Sequence, residues 1–220
     1  MKKQLDNLIT GAMVVAALLL TGSYLLRDRD GGSRQTEKPR KLATAEWKRI
    51  TSAGRTIAGA LDAVDTIAVF TDLQCPVCKS FHLGALEQVL EAHPNSVRVI
   101  AVHYPLSYHP QAMTMARATE CIEEPMLRSW FDQVYRKQDS LPFKSAAQFA
   151  QTVGVVDTAG FANCAAASAA AARVAANIAL GDSVGVKGTP TVLVNGTLFN
   201  APPRLAQLDS VLRSSKRGQS

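Results

Sequence analysis

Two cysteines lie two residues apart in the segment Phe70–His82, FTDLQCPVCKSFH, where a predicted strand meets a predicted helix. The β-branched and apolar run Asp65–Phe70 indicates the strand. Pro76 suits the first helical position, where its missing N–H is harmless, and apolar residues recur at helical spacing after it. Cys75 and Cys78 are therefore predicted to lie at the N-terminus of an amphipathic helix that follows a buried strand.

The two cysteines are predicted to differ in reactivity. Cys75 faces the free backbone N–H groups and the positive end of the helix dipole, which stabilise a thiolate relative to a thiol. Cys78 lies one turn later on the apolar face and is predicted to be more buried. Thiol–disulfide exchange needs one sulfur that attacks and a second that resolves the mixed disulfide, and this pair offers both. A disulfide that only staples the turn is an alternative.

A metal site is a second alternative, since His82 completes the spacing C-x2-C-x3-H. His93, His103 and His109 are scattered, and no second cluster with ligand spacing follows in the sequence. Four zinc ligands are therefore hard to assemble. We predict no metal and no cofactor, and we expect His82 to be a partly exposed residue of the helix.

The remaining elements follow in an order that predicts an α/β fold. A second buried strand is predicted at Val97–Tyr104, helices at residues 110–184, a hairpin with an Asn-Gly turn at 191–199, and a last helix at Pro203–Leu212. The elements follow in the order strand–helix–strand, a block of helices, then hairpin–helix. This order predicts a thioredoxin-like domain at residues 51–215. The helical block would be an insertion in that domain.

The CxxC segment resembles the active-site stretch of DsbA-like thiol–disulfide oxidoreductases, a thioredoxin-fold family with a helical insertion. The stretch GVKGTPTVLVNG, residues 185–196, is similar to the cis-proline segment of that family. RATECIEE and FANCAAAS resemble the insertion in members that carry a second cysteine pair. The likeness covers residues 50–215.

The resemblance implies a role for each matching residue. Cys75 would be the nucleophile and Cys78 the resolving cysteine. Pro190 would be a cis-proline packed against them, and Thr189 would present its backbone to an extended substrate peptide. The residues alone leave open a Pro190 in the trans form at the start of a strand.

Two positions depart from the family pattern. Val69 stands where relatives often carry a buried carboxylate, so that proton-accepting group is absent, and the nearby Asp72 is expected to end the strand. Val77 stands where the most oxidising members carry histidine. Thiolate stabilisation is therefore expected to depend on the helix terminus, and the protein is expected to be a milder oxidant than those members.

Cys121 and Cys164 bring the number of cysteines to four. Both fall in predicted helices of the insertion, and an export-directed chain is the place where such cysteines pair. We expect a structural disulfide between them. Two buried free thiols are the alternative.

Residues 1–26 are expected to be an N-terminal signal anchor. The run Leu8–Leu26 contains no charged residue and is long enough to cross a bilayer as a helix. A cleaved signal peptide is the rival interpretation. Residues 27–50 are expected to be a polar tether. The basic residues after the run would favour a cytoplasmic domain, but long domains translocate largely regardless of such charges, and the expected disulfide favours the extracytoplasmic side.

The net charge of +6 does not predict a nucleic-acid partner. Basic residues are concentrated in the two terminal arms, including a tail at 216–220 that is expected to be disordered. Residues 50–203, in contrast, have a slight excess of acidic side chains. A basic stripe with interleaved aromatic residues, which nucleic-acid binding would favour, is absent from the sequence.

These features predict a membrane-tethered, extracytoplasmic thiol–disulfide oxidoreductase that acts as an oxidant on reduced or misoxidised exported proteins. A membrane redox partner would recycle the dithiol. Two alternatives remain: a disulfide reductase or isomerase of the same fold, and a binding or chaperone protein whose CxxC only staples a turn.

Overall fold

A six-stranded sheet forms the centre of the domain, which the computed structural model describes at residues 38–199 and 201–217. Its strands are β1 Arg40–Lys41, β2 Arg55–Ala58, β3 Asp65–Thr71, β4 Val97–His103, β5 Thr191–Val194 and β6 Thr197–Phe199. They lie in the order β1-β6-β5-β3-β4-β2. β3 and β4 are parallel, and every other neighbouring pair is antiparallel.

Helices pack on both faces of this sheet. They are α1 Thr44–Ala53, α2 Pro76–Phe81, α3 Glu87–Ala92, α4 Ala112–Thr119, α5 Glu124–Arg136, α6 Ala146–Thr152, α7 Thr158–Ala166, α8 Ser168–Ser183 and α9 Leu205–Arg217. A π-helical turn, His82–Leu86, joins α2 to α3, and a 3-10 turn, Gln138–Ser140, follows α5. The predicted α/β frame with a helical insertion between β4 and β5 is confirmed.

Alternate residues of β3 belong to two hydrophobic cores, one on each face of the sheet. Ile67 and Val69 belong to the core shared with α2, α5 and α9, whereas Ala68 and Phe70 belong to the core shared with α1 and α8. All four side chains are at most 5% exposed. Burial on both faces explains why this strand is a continuous apolar run rather than an alternating one.

The predicted hairpin of β5 and β6 is confirmed, and its turn is also bonded to β3. Asn195 and Gly196 have φ values of 49° and 79°, as a type I′ turn requires. The Asn195 side chain donates to Asp65 Oδ1 (2.7 Å) and accepts from the Thr66 N–H (2.8 Å). These bonds hold the hairpin against the start of β3, and so they position the strand that begins directly after Pro190.

The folded domain begins before residue 51, so the predicted extent of the tether, residues 27–50, is wrong at its C-terminal end. Arg40–Lys41 pairs antiparallel with β6, and α1 buries Ile50 completely. Arg40 also donates to the Val184 carbonyl oxygen at 2.6 Å. A two-residue strand has no hydrophobic period, so its pairing with a distant hairpin cannot be predicted from a local pattern.

The segments predicted at the two ends of the chain lie partly outside the described residues. Helix α9 continues to Arg217, so the tail predicted at 216–220 starts inside a helix. The expected anchor at 1–26, the first part of the tether and residues 218–220 lie outside the described residues. Within the described ranges no single helix has the length and apolar character to span a bilayer, although α7 and α8, bent by 53° at their junction, pass that test as a pair.

Candidate active site

The loop between β3 and α2 is held by a buried carboxylate, Asp72, which is 2% exposed. Its Oδ1 accepts from the Gln74 N–H at 2.7 Å. Its Oδ2 accepts from the Leu106 N–H at 2.9 Å and lies 2.7 Å from His109 Nδ1. Asp72 therefore does more than end the strand, because it joins the loop before Cys75 to the loop after β4.

Cys75 and Cys78 lie at the start of α2, with Cys75 at the N-cap and Pro76 in the first turn. Both are free thiols, and they are 4% and 1% exposed. Cys78 is thus the more buried of the two, but Cys75 is also covered. Val77, between them, is 49% exposed and is the accessible side chain of the motif.

Hydrogen bonds to the Cys75 sulfur lower its pKa to about 5. The largest contribution is the hydrogen bond from the Cys78 thiol, and the Thr189 hydroxyl and the backbone N–H groups of Cys78 and Val77 add to it. Burial raises the pKa but is outweighed. Cys75 is therefore a thiolate at neutral pH, which is the form that attacks disulfides.

Cys78 has the opposite character. Burial raises the pKa of Cys78 well above that of an ordinary thiol, and the Cys75 thiolate beside it raises the pKa further. The Thr189 and Thr71 hydroxyls act in the other direction. Thr71 Oγ1 is in turn 2.6 Å from the Tyr135 hydroxyl. In the reduced protein the pair therefore holds one proton, and that proton is on Cys78.

The Thr189–Pro190 peptide bond is cis and lies beside the cysteines. The Cys75 thiol group lies 3.4 Å from the Thr189 carbonyl oxygen. Thr189 Oγ1 is buried and has no hydrogen-bond partner among the described residues, so its hydroxyl acts on the sulfur atoms without a well-aligned bond to either of them. The fold thus brings residues 75–78 and 189–190 into one site although the whole insertion separates them in sequence.

The insertion contributes a further residue, Gln138, which the sequence did not single out. Gln138 is 8% exposed, and its Nε2 donates to the carbonyl oxygens of Leu73 (2.9 Å) and Cys75 (3.1 Å). These two carbonyls flank the start of α2. A single glutamine in a polar stretch after a helix carries no pattern that would predict this contact.

His82 is 4% exposed, so the prediction that it is partly exposed is wrong. Its ring centroid lies 6.1 Å from that of Phe131 and 4.9 Å from that of Tyr135, and its Nε2 lies 2.7 Å from Asp132 Oδ1. His82 lies four residues after Cys78, and its backbone N–H donates to the Cys78 carbonyl oxygen, so the two side chains share the buried face of the helix.

His82, Glu87 and Asp132 are close enough to hold a metal ion, since their ligand atoms lie within 4.8 Å of one another. Arg128 already binds the two carboxylates. Its guanidinium donates to both Glu87 oxygens at 2.6 and 2.5 Å and to Asp132 Oδ2 at 3.2 Å. A cation would have to displace this guanidinium, so we assign the cluster as an ion-pair network.

Cys121 and Cys164 are joined by a disulfide with a Cα–Cα distance of 6.0 Å. The bond connects the segment after α4 to α7, and both lie in the insertion. Arg117 of α4 reinforces this connection by donating to the carbonyl oxygens of Ala165 (3.0 Å) and Ala166 (2.7 Å). The disulfide and the arginine together fasten α7 to the rest of the insertion.

The α/β domain carries a CxxC dithiol at a helix N-terminus, a cis-proline beside it and a helical insertion. Together these features define a thioredoxin-like dithiol protein. The chain belongs to the Thioredoxin family, whose model matches residues 51–214.

Solved structures share this fold. Oxidised BdbD from Bacillus subtilis superposes with a TM-score of 0.67 at 16% identity, covering 76% of this chain and 94% of that one. The alpha-DsbA1 protein of Wolbachia pipientis superposes with a TM-score of 0.63 at 14% identity, also covering 76% of this chain and 94% of that one. At these identities the likeness concerns the fold alone.

A curated relative is much longer than this chain. The Na(+)/H(+) antiporter NhaA 3 of Salinispora tropica is 27% identical over 161 residues, which is 72% of this chain and 24% of the antiporter. The chain therefore spans about a quarter of the length of the curated relatives it matches.

Proposed function

We propose that this protein is a thiol–disulfide oxidoreductase that passes a Cys75–Cys78 disulfide to reduced or misoxidised exported proteins. The observation that carries the proposal is the difference between the two thiols. The pKa of Cys75 is lowered to about 5 by hydrogen bonds, whereas burial raises that of Cys78. This difference fits an outer sulfur that exchanges with the substrate and an inner sulfur that resolves the mixed disulfide.

The same difference favours the oxidising direction. Interactions that stabilise the Cys75 thiolate stabilise the reduced protein, and they therefore make the Cys75–Cys78 disulfide easier for a substrate to reduce. For a two-electron couple, about 30 mV corresponds to about 1.4 kcal/mol. Modest stabilisation of one thiolate is therefore enough to reverse the direction of exchange.

In the oxidising cycle, a substrate thiolate attacks the Cys75 sulfur of the disulfide. The bond to Cys78 breaks, and Cys78 leaves with the electron pair and takes up a proton. A second substrate thiolate then attacks the substrate sulfur of the mixed disulfide, and Cys75 leaves as a thiolate. The substrate gains a disulfide, and the protein keeps two electrons and the proton on Cys78. The low pKa of Cys75 makes it a good leaving group in the second step.

The backbone beside the cis bond supports the proposal that Thr189 and Pro190 bind the substrate. The Thr189 carbonyl oxygen lies 3.4 Å from the Cys75 sulfur, and Pro190 directly precedes β5. An extended peptide bound along this edge by main-chain hydrogen bonds would bring its own cysteine to Cys75. Such recognition depends little on side chains, which suits a protein with many substrates.

We propose that the reaction takes place on the extracytoplasmic side of a membrane, with residues 8–26 as the membrane anchor and a membrane redox partner that reoxidises the dithiol. The Cys121–Cys164 disulfide supports this location, because stable disulfides are rare in cytosolic proteins. A relative named as a Na(+)/H(+) antiporter also fits a domain that works beside a membrane.

Two solution measurements test the direction of the reaction. Titration of the reduced protein by thiolate absorbance should give a Cys75 pKa far below the ~8.5 of a free thiol. Equilibration with glutathione should give a potential well above the about −270 mV of thioredoxin. Val77→His, which adds a cationic partner between the cysteines, should lower the pKa and raise the potential. A pKa near ~8.5 with a potential as low as that of cytosolic reductants would make the protein a reductase.

Serine variants test the roles of the two sulfurs. Cys78→Ser should accumulate mixed disulfides with substrate proteins through Cys75, and Cys75→Ser should accumulate almost none. The reverse pattern would exchange the two roles. Full biological activity of Cys75→Ser would instead show a binding or chaperone protein whose CxxC only staples a turn.

A further inference from the structure

A small cavity borders the inner cysteine. Its volume of about 10 Å³ is close to the minimum that one water molecule needs. Four residues with polar side chains, Thr71, Cys78, His82 and Tyr135, are among those that line it, and the other lining residues, Val69 among them, are apolar. A water molecule in such a site needs two to four polar partners, and these four residues carry the polar groups nearest to it.

We infer that His82 exchanges the proton of Cys78 through this cavity during the resolving step. This inference rests on the proposed exchange function and adds a residue to it. His82 and Cys78 border the same small space, although they lie in successive turns and no direct hydrogen bond joins them among the described residues. A single water molecule between them would complete the path.

Asp132 prepares His82 for this role. The His82 Nε2 lies 2.7 Å from Asp132 Oδ1, at a side chain that is 5% exposed. A carboxylate at this distance holds the proton on Nε2 and leaves Nδ1 as the accepting nitrogen. Asp132 also stabilises the positive charge that the ring acquires when it takes up a second proton.

The other polar groups of the cavity are less suited to accept a proton. Burial raises the pKa of Tyr135 well above its usual value, so the phenol stays protonated. The Thr71 hydroxyl is held by Tyr135 at 2.6 Å and can pass a proton on but cannot store it. Val69 offers no titratable group. Histidine, in contrast, is the side chain that exchanges protons near neutral pH.

Charged groups from three elements face the His82 ring. From α5, Asp132 and Arg128 contribute opposite charges, and Arg128 is bonded to both Asp132 and Glu87. From α3, Glu87 lies 4.0 Å from His82 Nε2. From α2, the Cys78 sulfur becomes negative as its proton leaves. The two carboxylates and the thiolate are negatively charged, and only the guanidinium is positive. The net negative charge around the ring favours a transient imidazolium.

A fourth element contributes His103 of β4, which stacks on Phe131, the residue that also stacks on His82. Burial lowers the pKa of His103 to about 4, so its ring is neutral above that pH and does not oppose a charge on His82. His103 pairs with Glu120 rather than with the cavity, at 3.4 Å.

The proton transfer balances with the exchange chemistry. When Cys78 attacks a mixed disulfide on Cys75, a bond forms between the two protein sulfurs and the bond from Cys75 to the other thiol breaks. That thiol leaves as a thiolate with the electron pair, and the proton of Cys78 passes to His82. In the oxidising direction the same proton returns from His82 to Cys78 as this sulfur leaves.

The test follows the two steps separately with dithiobis(nitrobenzoate), which releases one coloured thiolate when Cys75 attacks and a second when Cys78 resolves the mixed disulfide. His82→Gln keeps a hydrogen-bond donor for Asp132 but cannot act as a base. We expect this variant to slow the second release about 100-fold, a typical contribution of general-base catalysis, and to leave the first unchanged.

His93→Gln is the matched control, because His93 likewise pairs with an aspartate, Asp209, at 3.1 Å but does not line the cavity. It should leave both steps unchanged. The inference would be overturned if the rate of the second release in His82→Gln stayed within about twofold of that of the natural protein. It would also be overturned if the variant slowed both steps equally. If the natural protein showed no second release at all, the proposed exchange function would fail instead.

Discussion

The Cys75 thiolate depends on hydrogen-bond donors from two distant parts of the chain. The Cys78 thiol and the backbone N–H groups come with the CxxC helix itself. The Thr189 hydroxyl comes from the loop before β5, and it is buried beside the sulfur atoms. A substitution at Thr189 therefore removes a donor without changing the helix.

We expect Thr189→Val to raise the pKa of Cys75 by about one unit. A hydrogen bond to a charged group contributes about 1.5–3 kcal/mol, and one pKa unit corresponds to about 1.4 kcal/mol. Titration by thiolate absorbance measures the change. Thr197→Val, on the neighbouring strand β6, is the control and should leave the pKa unchanged. An unchanged pKa in Thr189→Val would contradict the role of this hydroxyl.

The low pKa of Cys75 also makes the stability of the reduced protein depend on pH. The thiol has a pKa of about 5 in the folded state and of about 8.5 in the unfolded chain. The unfolded chain therefore binds more protons between these values, so the stabilisation is fully present above about pH 8.5 and is lost as the pH falls towards 5.

Urea unfolding of the reduced protein should show this loss. As the pH falls from about 8.5 to 5, we expect the free energy of unfolding to decrease relative to that of Cys75→Ser, which lacks the titrating thiol. Identical pH dependence in the two proteins would mean that the Cys75 pKa is not lowered by folding.

At the scale of the elements, the insertion supports the CxxC helix through Gln138. Its amide donates to the Leu73 and Cys75 carbonyl oxygens, both in the loop directly before α2. The Cys75 carbonyl also accepts from the Lys79 N–H at 3.1 Å, so removing the buried amide leaves the Leu73 carbonyl without this donor. The insertion is thus part of the active site as well as a cover for it.

We expect Gln138→Leu to lower the free energy of unfolding by about 2 kcal/mol, since an unsatisfied buried polar group costs about 1–3 kcal/mol. It should also raise the rate at which alkylating reagents modify Cys75. Denaturant unfolding and alkylation rates measure the two effects. Gln151→Leu, at an exposed position of α6, is the control with no expected effect. Equal stability of the two variants would show that the Gln138 amide bonds contribute little.

At the scale of the whole molecule, the Cys121–Cys164 disulfide constrains the insertion. The bond closes a loop with a sequence separation of 43. In the chain-entropy model a loop of this length stabilises the fold by about 4 kcal/mol. For a domain of this size that corresponds to a change in Tm of roughly 10 °C.

The double variant Cys121→Ser/Cys164→Ser should therefore melt roughly 10 °C lower and still exchange disulfides through Cys75 and Cys78. Calorimetry and a mixed-disulfide assay measure the two properties. The single variant Cys121→Ser serves as a comparison, since it breaks the same bond and leaves one free thiol. Normal melting with lost turnover would make this pair a redox relay instead of a structural bond.

Local patterns were enough to predict the frame of this protein and the position of Cys75 and Cys78 at the start of a helix. The continuous apolar runs of β3 and β4, the Asn-Gly turn and the proline after Cys75 each act through neighbouring residues, so their structural consequences appear in the sequence itself. The order of these elements then indicated the α/β frame with its insertion. Within the helical block predicted at residues 110–184, the alanine-rich stretch divides at Ala167 into α7 and α8.

The contacts that tune the site were decided by tertiary structure alone. Gln138 and Thr189 reach Cys75 across more than sixty and one hundred residues, respectively, and β1 pairs with a hairpin at the other end of the chain. His82 is buried because Phe131, Asp132 and Tyr135 of α5 pack against its ring. Each of these contacts joins side chains whose own sequence neighbours contain no sign of the partner. The sequence determined where the two sulfur atoms of the CxxC lie, and the packing of distant elements determined their protonation and their surroundings.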